Sequence, residues 1–343
     1  MWRYFFRRVS LFLATTLIMM AVLFYTTHLF PVDEHYALSG VQQPTAEQIE
    51  QINNDFNLES NRFSQFIAYV QQRLSGNMGV SNNSQQQVYE ELKTVLPASF
   101  ELSLFSGFIA LIFGVPIGVI AALSKNKLVQ RSILGLTLTG YSIPVFWLGL
   151  SLSLWFGVNL GWLPISGQIN LLYQIEPVSG FMLIDTLLSD STYSQQAFID
   201  ALMHLILPAI TLAVLPFTLI VRITRQAMLQ VMNQTYIRAA EARGLHTLKI
   251  IIRHALPNAM IPVLKSIGIM LGSFASYGIV VEVIFSWPGV GSWLVSGIYQ
   301  RDYTVIQAGI LSVSLLIIFL SILIEFVHTA INPMSKKELY ATY

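Results

Sequence analysis

Apolar and polar residues are sorted along this chain in long blocks. Mostly apolar runs occupy 9–30, 100–123, 132–158, 202–221, 259–285 and 305–331. Each can carry a helix across roughly 30 Å of hydrocarbon, which takes about 20 residues. The pattern predicts an all-α polytopic membrane protein with six transmembrane helices. The first run follows Arg3, Arg7 and Arg8. It is longer than the roughly 7–15 apolar residues of a secretory signal and reads as a retained anchor.

Basic residues orient the runs. Lys and Arg number three in 1–8, three in 124–131, seven in 222–265 and two in 332–343. The alternate segments 31–99 and 159–201 hold only Arg62, Arg73 and Lys93, beside a dozen acids, and Arg301 falls in a short third outside segment. Excess Lys/Arg marks the cytoplasmic side, so the N and C termini are expected to be cytoplasmic. The chain then divides into a cytoplasmic N-terminus and anchor helix (1–30), a periplasmic insertion between helices 1 and 2 (31–99), a five-helix core (100–331) and a cytoplasmic tail (332–343). The core includes a cytoplasmic loop at 222–258. Within 31–99, Thr45 and Gln48 have the spacing of a capping box that opens a helix. Phe63, Phe66, Ile67, Val70 and Leu74 then share one face, and the segment is expected to pack as a small lid on the channel mouth, with direct substrate contact the alternative.

Composition narrows the function. Of 343 residues, 54% are hydrophobic and 11% charged, with mean hydropathy +0.60; soluble domains carry about 25% charged residues. A net charge of +1 leaves no stripe of Lys/Arg for nucleic acid. There is no cysteine, so disulfides, thiolate metal sites and a cysteine nucleophile are excluded. No G-x-x-x-x-G-K-[ST] loop cradles ATP phosphates, and neither H-E-x-x-H nor G-x-S-x-G occurs. The six histidines lack ligand spacing. The chain is therefore expected not to be an enzyme and to bind no cofactor or metal directly. Pro116, Pro144, Pro208, Pro216 and Pro262, with Gly114, Gly118, Gly140 and Gly149, predict kinked and closely packed helices. Glu282 and Glu325 lie near opposite ends of the last two runs. An ionisable group in a membrane is a functional candidate by default; for Glu325 a structural pairing with His328 is the simpler expectation.

One polar segment, 236–262, is more organised than a connector needs to be: YIRAAEARGLHTLKIIIRHALPNAMIP. Arg238, Arg243, Lys249 and Arg253 make it basic. Ala239 and Ala240 offer a small helix face, and Gly244 permits a turn or a close approach. Residues 245–255 predict a second short helix with Leu248, Ile251 and Ile252 on one side. Pro257 is expected to break the helix before the fifth run. Docking of a partner and adsorption to anionic lipid both fit this pattern.

The segment resembles the coupling loop of bacterial ABC-importer permeases, E-A-A-x3-G-x9-I-x-L-P. Ala239, Ala240, Gly244, Leu256 and Pro257 fall at matching positions; Arg238 stands at the Glu position and His254 at the Ile position. Those departures are similar to the dipeptide/oligopeptide/nickel branch, B-type subunit. Further resemblance lies in LSGNMGVS at 74–81, Leu96-Pro97 with Glu101-Leu102, SIPVFWLG at 142–149, EVIFSWPGVG at 282–291 and Arg301-Asp302-Tyr303. Ser276-Tyr277 departs from the branch's usual pair of glycines. GWLPISG at 161–167, the segment 170–191 ending LSDS, and KKELYA at 336–341 bring the chain nearest to the Sap peptide-transport permeases.

The resemblance implies a multi-pass subunit of the bacterial inner membrane that pairs with a homologous second permease. It implies two cytoplasmic ATPase subunits, which use the ATP, and a periplasmic solute-binding protein, with membrane lipid as surroundings. Arg238, Ala239, Ala240, Gly244, Leu256 and Pro257 would carry ATPase docking, and Glu282 is the candidate on the translocation path. The implied cargo is peptides, cationic antimicrobial peptides among them. Polyamine transport by the same kind of complex, and a secondary transporter, are the competing readings.

Overall fold

The computed structural model describes residues 2–29 and 34–331. The KKELYA motif and the rest of the predicted tail, 332–343, lie outside the described residues. The helices in chain order are α1 (Trp2–Leu29), α2 (Glu34–Ser39), α3 (Ala46–Phe56), α4 (Arg62–Leu74) and α5 (Val88–Leu123). There follow α6 (Lys127–Ser142), α7 (Val145–Leu152), α8 (Met182–Leu188), α9 (Ser194–Met232) and α10 (Thr235–Ala242). The last four are α11 (Thr247–Ile250), α12 (Leu256–Ile284), α13 (Val290–Gln300) and α14 (Tyr303–Ile331). Among the described residues the extended structure is confined to one bridge between Val80 and Gln87.

Among the described residues five helices are long and apolar enough to cross a membrane, at Phe6–Leu29, Val88–Leu123, Ser194–Met232, Thr247–Ile284 and Tyr303–Thr329. The run at 132–158, expected to be one span with a kink, is two helices bent by 101° between Lys127–Ser142 and Val145–Asn159. Ile143 is extended (φ −74, ψ 126) and Pro144 caps α7. The proline's Cδ disfavours the helical region for its predecessor, and Ile143 takes the extended alternative, so the chain turns there. Counting that pair as a single span makes six.

The chain forms two compact units. The first comprises Met1–Ser99, Gln174–Ser191 and Pro288–Phe319. Its core joins Met20, Leu23 and Phe24 of α1 to Leu38, Ile52, Phe56, Tyr69 and Leu311. The residues of 34–99 thus share a core with α1 and α14. The capping box opens α3 as expected: Gln48 N–H donates to Thr45 Oγ1 at 3.4 Å, and Thr45 N–H donates to Gln48 Oε1 at 2.9 Å. α4 meets the expectation in part: Phe66 and Val70 pack against that core, but the buried face is shifted. Phe63, Ile67 and Leu74 are exposed, whereas Gln65, Tyr69 and Arg73 are buried. Arg73 donates to the Leu38 and Asn77 carbonyls at 3.1 and 2.8 Å and stacks over Tyr69, while Gln65 donates to the Leu58 and Ser60 carbonyls. Arg73 and Gln65 find backbone acceptors and the Tyr69 hydroxyl donates to Gln307 Oε1 at 3.4 Å, which offsets their desolvation and turns this face inward.

Two of the short motifs meet in the same unit. Asp302 is 1% exposed and accepts from Ser81 Oγ (2.9 Å), Asn82 N–H (2.6 Å), Thr304 Oγ1 (2.8 Å) and Val305 N–H (3.2 Å). One carboxylate thus caps α14 and fixes the turn after Val80. Tyr36 donates to the Arg301 carbonyl at 3.1 Å. Burial, then the nearby Asp302 charge, raise its phenol above the usual range and keep it a donor. Trp293 Nε1 donates to Glu91 Oε2 at 2.7 Å, and Val290 N–H to Ser99 Oγ at 2.7 Å, which anchors the glycine-rich start of α13.

The second unit comprises Phe100–Tyr173, Thr192–Trp287 and Leu320–Tyr343. α9 is its axis. Of its most apolar stretch 67% is buried, against 6% for Tyr303–Thr329, and it packs against α6, α7 and α12. Close approach rests on small residues: a Cβ on Gly118 of α5 would sit 2.7 Å from Thr224 Cβ and 2.8 Å from the Val221 carbonyl oxygen of α9.

Candidate functional site

The predicted loop lies wholly within the second unit and is built as a helix–turn–helix. α9 ends at Asn233, whose side chain donates to the Leu229 carbonyl at 2.9 Å. Gln234 is extended (φ −74, ψ 150) and starts α10. Ile237 and Ala240, three residues apart, bury one face of α10, while Arg238, Ala239, Glu241 and Ala242 are exposed. The buried pair joins Ala122, Ala227, Met228, Ile250, Ala255 and Ala259 in one cluster.

Gly244 stops α10. It adopts φ +74 and donates to the Glu241 carbonyl at 2.9 Å, and Leu245 N–H reaches the Ala240 carbonyl at 3.3 Å. Leu245 also packs on the cluster that holds Ala240. Those two reverse hydrogen bonds and the apolar contact make a Schellman turn, which favours glycine at the left-handed position. A Cβ at Gly244 would meet nothing within 4 Å, so backbone conformation and not space selects glycine here.

His246 opens α11, its Nδ1 accepting from Leu248 N–H at 3.3 Å. No break follows at Pro257. α11 runs through a π-helical turn, Ile251–Ala255, straight into α12, with Pro257 in the first turn of that helix. The wider turn removes one carbonyl from the regular ladder, which suits a residue that has no N–H to give. Asn258 Nδ2 donates to the Tyr236 hydroxyl at 3.0 Å and to the His254 carbonyl at 2.9 Å, tying the start of α12 to the start of α10.

The six predicted docking residues therefore divide. Arg238, Ala239, Gly244 and Pro257 are exposed; Ala240 is buried and Leu256 half-buried against the same cluster. Two residues outside that set stand out. Leu248 is 58% and Ile252 57% exposed, one helical turn apart, while Ile250 between them is 1% exposed. Their spacing of four was visible in the sequence; which of the isoleucines faces outward was not. Around them Arg238, Arg243, Lys249 and Arg253 are exposed with a single acid, Glu241. An apolar pair rimmed by cations suits a protein surface carrying a hydrophobic notch and carboxylates.

Glu282 lies elsewhere in the second unit, near the end of α12. It is 3% exposed, and its carbonyl accepts from Trp287 N–H at 2.8 Å. Among the described residues no group of three or more His, Asp or Glu side chains is placed to hold a metal ion.

Residues 114–337 match the family described as "Binding-protein-dependent transport system inner membrane component". The di/tripeptide transport system permease protein DppB of Pseudomonas aeruginosa is 41% identical, over 95% of this chain and 96% of its own. The peptide transport system permease protein SapB of Salmonella typhimurium is 40% identical, over 78% and 84%. The putrescine export system permease protein SapB of Escherichia coli is 41% identical, over 77% and 82%. In structure, a chain of the inward-facing MetNI methionine ABC transporter superposes with TM-score 0.54 at 16% identity, covering 71% of this chain and 96% of that one. That last likeness concerns the fold alone. The matched span and the full-length relatives agree with the motifs and the apolar helices: the chain belongs to the binding-protein-dependent transport system inner membrane component family of ABC permeases.

Proposed function

We propose that this protein is the permease subunit through which an ABC transporter moves peptides, with residues 235–258 as the surface gripped by an ATPase. The observation that carries the docking reading is the exposed Leu248–Ile252 pair inside its basic rim, held by the Schellman turn and joined to α12 without interruption. Arg238, Ala239 and Gly244 contribute the exposed face of the turn. Ala240 and Leu256 act from beneath as positioning residues, and Pro257 sets the entry to α12. The full complex on this reading holds a second, homologous permease, two ATPase subunits and a solute-binding protein. Both termini and the loop lie in the cytoplasm, 31–99 lies outside the inner membrane, and 100–331 forms the transport core. Glu282 is assigned to the path as a positioning residue, because its burial suits a group that shapes the wall from within.

Peptide cargo is supported by the names of the Dpp- and Sap-type relatives. The test is ATP hydrolysis by the assembled complex in proteoliposomes, with di- and tripeptides compared against putrescine. Stimulation and uptake are expected with peptides alone. Stimulation by putrescine without any response to peptides would replace the cargo, and uptake driven by an ion gradient without ATP would remove the ABC reading.

A further inference from the structure

Where the apolar stretch of α9 ends, Arg222, Arg225, Gln226, Leu229, Gln230 and Asn233 recur at steps of three and one, along one helical face. With Leu134 of α6 they line an open-sided groove of about 420 Å³. The Nε of Arg225 is buried there and makes no hydrogen bond. The sequence supplies no carboxylate between Glu101 and Glu176, which spans all of α6, or between Asp200 and Glu241, which covers this part of α9. Neither wall neutralises the two guanidinium groups. Lys125, Lys127 and Arg131 add further positive charge at the same end of α6. The groove thus presents two planar guanidinium donors and the amides of Gln226 and Gln230, with no negative charge of its own. That is the chemistry of a phosphate receptor.

Its surroundings identify the source of the phosphate. Leu138 and Tyr141 lie four and seven positions beyond Leu134, on the same face of α6, and are 66% and 63% exposed. They extend the groove with an apolar strip running toward the middle of the apolar segment. A charged pocket at the boundary of a membrane helix, continued by an exposed apolar strip, fits an amphiphile with one anionic head and hydrocarbon chains. We propose that the α6–α9 groove is a binding site for an anionic phospholipid, its phosphate on Arg222 and Arg225 and an acyl chain along Leu134, Leu138 and Tyr141.

The full-length protein, reconstituted in phosphatidylcholine nanodiscs containing a minor fraction of phosphatidylglycerol, tests this by native mass spectrometry of retained lipid. Phosphatidylglycerol is expected to be retained in excess of its share. The double substitution Arg222→Gln, Arg225→Gln should weaken that retention roughly 30-fold, from the removal of about one cation's worth of attraction twice. Arg→Lys at both positions should restore much of it. If the double variant does not fold, Gln230→Glu serves instead. Position 230 is exposed, and its carboxylate would repel the phosphate. Equal phosphatidylglycerol retention by the wild type and Gln230→Glu, or by the wild type and a folded double variant, would overturn the proposal. Saturation by inorganic phosphate, with no preference among lipids, would overturn the lipid as the source. Loss of a co-purifying permease with unchanged lipid would assign the groove to a protein contact instead.

Discussion

Truncating Leu248 and Ile252 to alanine separates docking from folding. Burying a whole side chain of this kind is worth about 1.5–3 kcal/mol. With 58% and 57% of the two side chains still exposed, the share left for a partner to cover is roughly 1–1.7 kcal/mol each, estimated on that scale. Alanine keeps the β-carbon, so the double substitution should remove about 2 kcal/mol of docking energy, or roughly 30-fold in affinity. Stability should hardly change, because surface substitutions away from special features usually fall within about 0.5 kcal/mol. The control is Ile250→Ala, two positions from each but 1% exposed, where a cavity would cost about 2–5 kcal/mol of folding. The assay is titration of the purified ATPase onto detergent-solubilised permease, with thermal unfolding of each variant measured in parallel. If the Leu248/Ile252 variant keeps full ATPase affinity and full transport, the exposed pair is not the grip.

Three further substitutions probe other links. Gly244→Glu must hold a side chain at φ +74, a strain of about 1–2 kcal/mol; the protein should still insert, while ATP-coupled transport in vesicles falls sharply. Gly118→Ala is informative in its sign: alanine favours a helix by about 1 kcal/mol, yet a Cβ 2.7 Å from Thr224 should instead lower the unfolding temperature, and a rise would show that α5 and α9 have room. Asp302→Ala strips a buried acceptor from Ser81, Asn82, Thr304 and Val305, at a cost of about 3 kcal/mol. It should open the 79–87 turn to limited proteolysis, with Asp302→Asn milder.

Local chemistry was legible wherever one residue type answers one backbone need. Gly244 announced a turn because a left-handed position favours glycine, and Thr45 with Gln48 announced a helix start because two side chains satisfy two amides reciprocally. Long-range satisfaction was not legible. The inward turn of α4 depends on the Leu38 carbonyl, 35 residues from Arg73, which no periodicity reports. Proline was ambiguous for a similar reason. Pro144 stands where the chain bends by 101° while Pro208 and Pro216 sit inside the continuous α9, and the residue type is the same in both. Of the site, the loop and its glycine could be read from the chain. The split between exposed Arg238 and buried Ala240, and the outward pair Leu248 and Ile252, required the packed cluster beneath α10.

The uninterrupted passage from α11 through the π turn into α12 makes the loop one end of a continuous helical lever, with Pro262 inside it. α12 has 29 residues, so at 1.5 Å per residue it is about 43 Å long. A tilt of about 5° imposed at the gripped end would swing the far end, where Glu282 sits, by about 4 Å on that length. A hinge at Pro257 would have dissipated such a movement close to its origin. On the docking proposed above, a small displacement of the loop is carried along α12 to the neighbourhood of Glu282 at a scale comparable to the width of a side chain.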